Sequence, residues 1–368
     1  MKRISKRKFY KILKKGISVV LIAFIFMGSF LAFSSVDLES ILNKKQMASR
    51  SEFQGVLNLW LVSTFESGTA SKKSHLERSS LLFESQNKGA YVFIHEMTKN
   101  ECEIKINEGV MPDIICYSGN MGSVFEPYLT ELEEVENVKD TLITSGKKNG
   151  VELYAYPYMI GGYALITSSS RLQNAGVSIE NNSLLSNTYS VGYKKKFAKR
   201  EKSIYSMISG MKNGNNASLA LENELDIKSI QSLKNDLSYE QGLDGLTGYE
   251  AYEKWVYGDS VFLLGTQRDL VRAENRQRSG REDGIMVECL SYYSDLVEYV
   301  SVVSCNNSIR QKYARKFAKV LMSEQCQNLL ARIGMFSTLN LPDYLYSDGL
   351  LSQMEKKLDG LSVVPCIF

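Results

Sequence analysis

The chain has 368 residues, 44% hydrophobic and 23% charged, with 44 basic and 41 acidic side chains and a net charge of +3. Eight of the basic residues precede Gly16 and no acid precedes Asp37, so the remainder carries 36 basic against 41 acidic residues, net −5. A mildly acidic body gives no electrostatic reason to expect nucleic acid as a partner, and with two His and no H-E-x-x-H, Walker A or G-x-S-x-G pattern the chain has no visible metal, nucleotide or serine-nucleophile signature.

The first element is a leader. Lys2, Arg3, Lys6, Arg7, Lys8, Lys11, Lys14 and Lys15 precede a charge-free apolar run from Ile17 to Phe33. A basic stretch before such a run directs export and keeps its positive end in the cytoplasm. Two fates stay open: cleavage after Ser34, or retention as a helical anchor about 26 Å long. The length and strong basicity of the segment favour retention. The body is therefore expected at the outer face of the cytoplasmic membrane, anchored through residues 1–34 or secreted after cleavage. Residues 35–51 read as a linker. No cysteine occurs before Cys102, which excludes lipid attachment to a cysteine just after the run. The six cysteines form no C-x-x-C pair and read mostly as buried thiols, with a disulfide left open.

The organised part begins with a strand at 56–62 and a helix over 73–86. A strand at 91–94 follows, then a helix opened by the capping-box spacing of Thr98 and Glu101 and stopped at Gly109. Pro112 and Asp113 lead into a strand at 114–117. Strand, helix, strand, helix, strand with short connections predicts parallel βαβ units. Ligands bind beyond the carboxyl ends of such strands, which points to 63–69, with Thr64 and Thr69, and to 118–122, with Ser118.

Residues 154–167 read as two extended pieces around Gly161 and Gly162, a chain crossing between domains. The polar stretch 168–249 holds expected helices at 194–208 and 226–237. A short helix at 251–257, closed by Gly258, precedes a strand at 261–264 and a strand-to-helix turn at 265–269, with Thr266 as N-cap. A strand at 298–304 leads to an amphipathic helix from Ile309 to about Leu330, its apolar face marked by Ile309, Tyr313, Phe317 and Leu321. About 330 residues beyond the leader imply two domains.

Read together, several segments resemble the bacterial extracellular solute-binding proteins of carbohydrate-type ABC importers (maltose-binding-protein-like). Residues 59–69 (LWLVSTFESGT) are similar to that family's first strand and cleft loop, and 109–115 (GVMPDII) to its approach to the third strand. Residues 156–165 (YPYMIGGYAL) resemble its first crossover between lobes. The strand flanked by Gly258 and Gly265, and the segment Gly334–Ser337 after a late helix, complete the order.

The resemblance implies an α/β, two-lobed periplasmic-binding-protein-like fold, each lobe an open, mostly parallel sheet flanked by helices, with a ligand cleft between them. Lobe 1 would comprise 52–160 with 298–333 and lobe 2 would comprise 161–297 with 334–368. It implies a monomer with no cofactor and no covalent chemistry, binding a carbohydrate or other polar solute and delivering it to permease subunits. In such a cleft Trp60, Tyr158, Tyr163, Tyr292, Tyr293 or Phe336 can present an aromatic face to a sugar ring. Glu66, Asp269 and Asp295 can accept hydroxyl hydrogens, while Gln267 and Arg268 can donate. Thr64, Thr69, Ser118, Gly162 and Thr266 supply small side chains and backbone donors. Two alternatives are weighed beside it: a ligand sensor of the same fold feeding a receptor kinase, and an exported glycosidase using carboxylates such as Glu66, Asp113 and Asp269.

Overall fold

A computed structural model describes residues 52–175, 184, 248–258, 261–291 and 294–361. The leader, the expected helices at 194–208 and 226–237, and Tyr292 and Tyr293 lie outside the described residues. No helix among the described residues is long and apolar enough to cross a membrane.

The first sheet comprises β1 (Gly55–Val62), β2 (Ala90–Glu96), β3 (Ile114–Ser118), β6 (Tyr156–Ile160) and β10 (Val297–Val302), in the order β2-β1-β3-β10-β6. Strands β4 (Lys147–Lys148) and β5 (Glu152–Leu153) form a separate antiparallel pair. Strand β1 (Gly55–Val62) alternates outward and inward at Val56, Leu57 and Asn58, then runs buried from Leu59 to Val62 because it becomes covered on both faces. It pairs in parallel with β2 (Ala90–Glu96) and β3 (Ile114–Ser118). Helix α1 (Lys72–Gln86), N-capped by Ser71, connects β1 to β2 and buries Leu76 and Phe83. Helix α2 (Lys99–Asn107) connects β2 to β3 and opens with the complete Thr98–Glu101 capping box. Strand β6 (Tyr156–Ile160) and strand β10 (Val297–Val302) finish the sheet, with β10 antiparallel to both β3 and β6.

The second sheet contains β7 (Tyr163–Ser168), β8 (Leu263–Thr266) and β9 (Ile285–Cys289) in the order β8-β7-β9. Both of its pairings are antiparallel, which corrects the expectation of a mostly parallel sheet there. The physical reason lies in connectivity. Helix α3 (Gln267–Arg278) does join two parallel strands, β8 and β9, but β7 enters from the first sheet and lies between them. Strand β8 begins two residues later than expected: its ladder with β7 starts at Leu263, and Val261 and Phe262 are buried ahead of it, which gave them the apolar pattern of a strand.

The late amphipathic helix is shorter than its pattern suggests. Helix α4 (Ser308–Leu321) buries Tyr313, Phe317 and Leu321 as expected, and Ser323 then caps a separate helix α5 (Glu324–Asn328). Ser323 Oγ accepts the Cys326 N–H at 3.3 Å, satisfying one of the new helix's free N–H groups and lowering the cost of the break. Helix α6 (Gly349–Leu358) packs against α3. The five described cysteines are free thiols, all buried except the partly exposed Cys305.

Three chain segments run side by side between the sheets. The N–H of Gly161, which follows β6, donates to the Leu296 carbonyl at 2.7 Å, and Ser294 Oγ donates to the Gly161 carbonyl at 2.7 Å. Ile160 and Phe336 exchange two backbone hydrogen bonds of 3.1 and 3.0 Å. The carboxyl ends of β1, β3 and β6 therefore gather beside the start of β10, with Glu298 directly opposite Ser118.

Candidate functional site

A cleft of about 510 Å³ opens at these strand ends. Ser63, Phe65 and Glu66 from the loop after β1, Lys72 from the first turn of α1, Glu96 at the end of β2, and Arg268 at the start of α3 line it. Its wall thus combines the first sheet with the helix that leaves β8.

The floor is a buried ionic hub. Lys72 Nζ lies 2.7 Å from Glu298 Oε1, 2.6 Å from Ser63 Oγ and 2.7 Å from the Phe65 carbonyl, which uses all three ammonium hydrogens. Glu298 Oε1 also accepts from Ser63 Oγ and Ser118 Oγ, each at 2.7 Å. Ser118 Oγ in turn accepts the Thr64 N–H at 2.9 Å. The ammonium stands 3.1 Å from the centroid of the Phe65 ring, a cation–π contact. Burial lowers the Lys72 pKa to about 8, with the Glu298 charge opposing that fall. One ion pair therefore ties the ends of β1, β3 and β10 to the first turn of α1. Ser63 and Phe65 lie in the 63–69 loop that the sequence points to, whereas Lys72 and Glu298 escaped the sequence reading. Glu298 carried a usable signal: a lone acid inside the apolar run VEYVSV must find a buried partner.

The residues expected at the site divide. Thr64, Glu66, Thr69 and Arg268 line the cleft, and Ser118 and Gln267 are buried behind them. Gln267, fully buried, donates its Nε2 hydrogen to the Glu66 carbonyl at 2.7 Å and accepts the Gly162 N–H at 3.2 Å. The Arg268 guanidinium donates to the Ser67 and Thr69 carbonyls at 3.4 and 3.3 Å and stands 3.3 Å from the Glu66 carboxylate. Thr69 is fixed from behind by the Ile333 carbonyl, which accepts its N–H at 3.0 Å.

Other expected residues are engaged elsewhere. Thr266 and Asp269 form the capping box of α3, and Asp269 also pairs with Arg272 at 3.1 Å; its burial raises its pKa. Trp60, Tyr158, Tyr163 and Phe336 are at most 5% exposed. That corrects their expected role as stacking faces in this arrangement. Each sits in or beside a strand covered on both faces, so its ring is core. Tyr158 stacks on His75, Phe336 meets Tyr346 edge-on, and the Tyr163 hydroxyl donates to Asp295 at 2.5 Å. Gly162 belongs to the crossover, where an added Cβ would lie 3.0 Å from Met354 Sδ.

The carboxylates and imidazoles follow suit. Asp113 sits at the opposite end of β3 from the cleft, where it accepts from the Arg310 guanidinium and from the Asn58 N–H at 2.7 Å. Of the two imidazoles, His95 is exposed at the end of β2 and His75 is buried. Among the described residues no group of His, Cys, Asp and Glu side chains is placed to hold a metal.

No protein-family description matches the chain, and no curated protein matches it by sequence. Solved structures do match in fold. An ABC substrate-binding protein of Listeria monocytogenes in complex with cycloalternan aligns with a TM-score of 0.56 at 11% identity, covering 85% of this chain and 88% of that one. The GacH receptor of Streptomyces glaucescens, solved unliganded and with acarbose, aligns at 0.56 and 14% identity over 86% and 89%. The galacto-N-biose-/lacto-N-biose I-binding protein of a Bifidobacterium longum ABC transporter aligns at 0.57 and 11% identity over 85% and 88%. The chain has the two-lobed α/β fold of the ABC sugar-binding proteins.

Proposed function

We propose that this protein is the extracytoplasmic solute-binding component of an ABC transporter, holding a sugar or oligosaccharide between two lobes and delivering it to permease subunits. The observation that carries the reading is the cleft itself. It lies at the carboxyl ends of parallel strands, between the loop after β1 and the start of α3, in a fold shared with proteins that bind cycloalternan, acarbose and lacto-N-biose. Lobe 1 is read as 52–160 with 298–333 and lobe 2 as 161–297 with 334–368. The three adjacent segments around Ile160, Leu296 and Phe336 support that division, because a rotation there moves the two sheets as bodies.

On this reading the protein is a monomer without enzymatic activity, and lobe closure is the working event. Asp269, one carboxylate of the glycosidase alternative, is engaged in capping its own helix. Residues 17–33 hold the body at the outer face of the membrane. The test is a thermal-shift screen of the full-length protein against neutral and acidic glycans, with affinity capture of permease subunits from membranes. Stabilisation by at least one glycan together with permease capture is the expected result. No glycan response, or turnover of a chromogenic glycoside, overturns it.

A further inference from the structure

We propose that the ligand of this cleft carries a carboxylate, as a uronate oligosaccharide does, and that Arg268 and Arg272 hold it where the Glu66 carboxylate now lies; this rests on the carbohydrate-binding reading above. One Glu66 carboxylate oxygen faces two guanidinium groups across the cleft, 3.3 Å from Arg268 and 3.7 Å from Arg272. Glu66 comes from the loop after β1, whereas both arginines belong to α3. The protein's own acid thus bridges the two walls at the position a ligand acid would take.

The bridge is loose. The Glu66 side chain is 66% exposed, and exposed ion pairs hold weakly. The buried Nε–H of Arg268 has no hydrogen-bond acceptor among the described residues, although the carboxylate stands beside it. The guanidinium's other bonds, from a terminal nitrogen to the Ser67 and Thr69 carbonyls, are longer than usual at 3.4 and 3.3 Å. A planar carboxylate that enters in line with the guanidinium fork makes shorter, paired bonds. Arg272 is already oriented for it by Asp269 at 3.1 Å and by the Tyr252 ring at 4.9 Å.

Two further features favour charge over stacking. Phe65 is the one aromatic residue lining the cleft among the described residues, and the Lys72 ammonium occupies a face of its ring. Lys72 is also neutralised from below by Glu298, so it leaves no free positive charge for a ligand. When Glu66 swings into solvent, Arg268 loses its carboxylate neighbour and is the uncompensated charge at the site, while Arg272 keeps Asp269 on one side and leaves its other edge open to the ligand. An entering carboxylate restores the balance. Glu96, the other lining acid, is exposed at the β2 lip, where water screens it.

The test is isothermal titration of the full-length protein with galacturonate, glucuronate and mannuronate trimers, their methyl esters, a sulfated trimer and a set of neutral trimers. A uronate trimer is expected to bind, its methyl ester to bind at least about tenfold more weakly, and affinity to fall with salt. Arg268→Gln should weaken the uronate by a similar factor. Glu66→Gln, which removes the internal competitor at an exposed position, should tighten it by up to about fivefold. Equal binding of acid and ester, or tighter binding of a neutral or sulfated trimer, overturns the carboxylate while leaving the carbohydrate reading intact. Failure of every saccharide overturns both.

Discussion

Gly68 and Gly334 meet backbone to backbone. A Cβ on Gly68 would lie 2.6 Å from the Gly334 carbonyl oxygen, and one on Gly334 would lie 2.7 Å from the Gly68 Cα. Gly334 also has φ +70°, which L side chains rarely adopt. This contact sets the cleft loop against the end of the short helical turn that follows α5. Gly68→Ala should therefore destabilise the fold by about 1–3 kcal/mol through overpacking, and Gly334→Ala by somewhat more because backbone strain adds about 1 kcal/mol. Urea denaturation measures both. An unchanged midpoint for Gly68→Ala would mean that the two backbones can separate freely.

Gln267 links the Glu66 carbonyl to the Gly162 N–H from within the core. Gln267→Leu keeps the apolar bulk but leaves both backbone groups without that partner. The expected loss is about 1–3 kcal/mol, read from equilibrium unfolding. Stability equal to that of the parent would show that neither bond matters to the contact between the loop and α3.

These residues mark how far the sequence could be read. The strands at β1, β2 and β3 and the Thr98–Glu101 cap were legible because hydrophobic pattern and capping spacing are local. The place of Gln267 and Arg268 at a strand-to-helix turn was legible. Their engagement with the Glu66, Ser67 and Thr69 carbonyls was not, because those partners are about 200 positions away in the chain. The burial of Trp60 and Tyr158 was not legible for a related reason: an aromatic side chain in a strand reveals its face only once the layers on either side are known. The antiparallel second sheet was hidden because a strand–helix–strand pattern gives the direction of β8 and β9 but not that β7 lies between them.

The Lys72–Glu298 pair carries the next prediction. Its side chains are 4% and 0% exposed, so removing one partner strands a buried charge. Lys72→Met and Glu298→Leu should each cost about 3–5 kcal/mol, whereas the double variant should lose clearly less than the sum. Recovery will be incomplete, because Ser63 and Ser118 also donate to Glu298. Additive losses in a double-mutant cycle would contradict a direct pairing.

His75 supplies a pH dependence with a definite sign. Its ring is fully buried on α1, stacked 6.3 Å from Tyr158, and neither ring nitrogen has a hydrogen-bond partner among the described residues. Burial lowers its pKa from 6.5 to about 4. Between those values the unfolded chain binds the proton and the folded one does not, so stability falls as pH drops through that window. The loss attributable to this group is about 3 kcal/mol, complete below pH ~4. His75→Leu removes the titrating ring without stranding a partner and should flatten this part of the profile while leaving stability near pH 7 within about 1.5 kcal/mol. Denaturation midpoints at pH 7, 6, 5 and 4 for both proteins provide the measurement. Parallel profiles would mean that the acid sensitivity arises from the carboxylates, leaving His75 without a part in it.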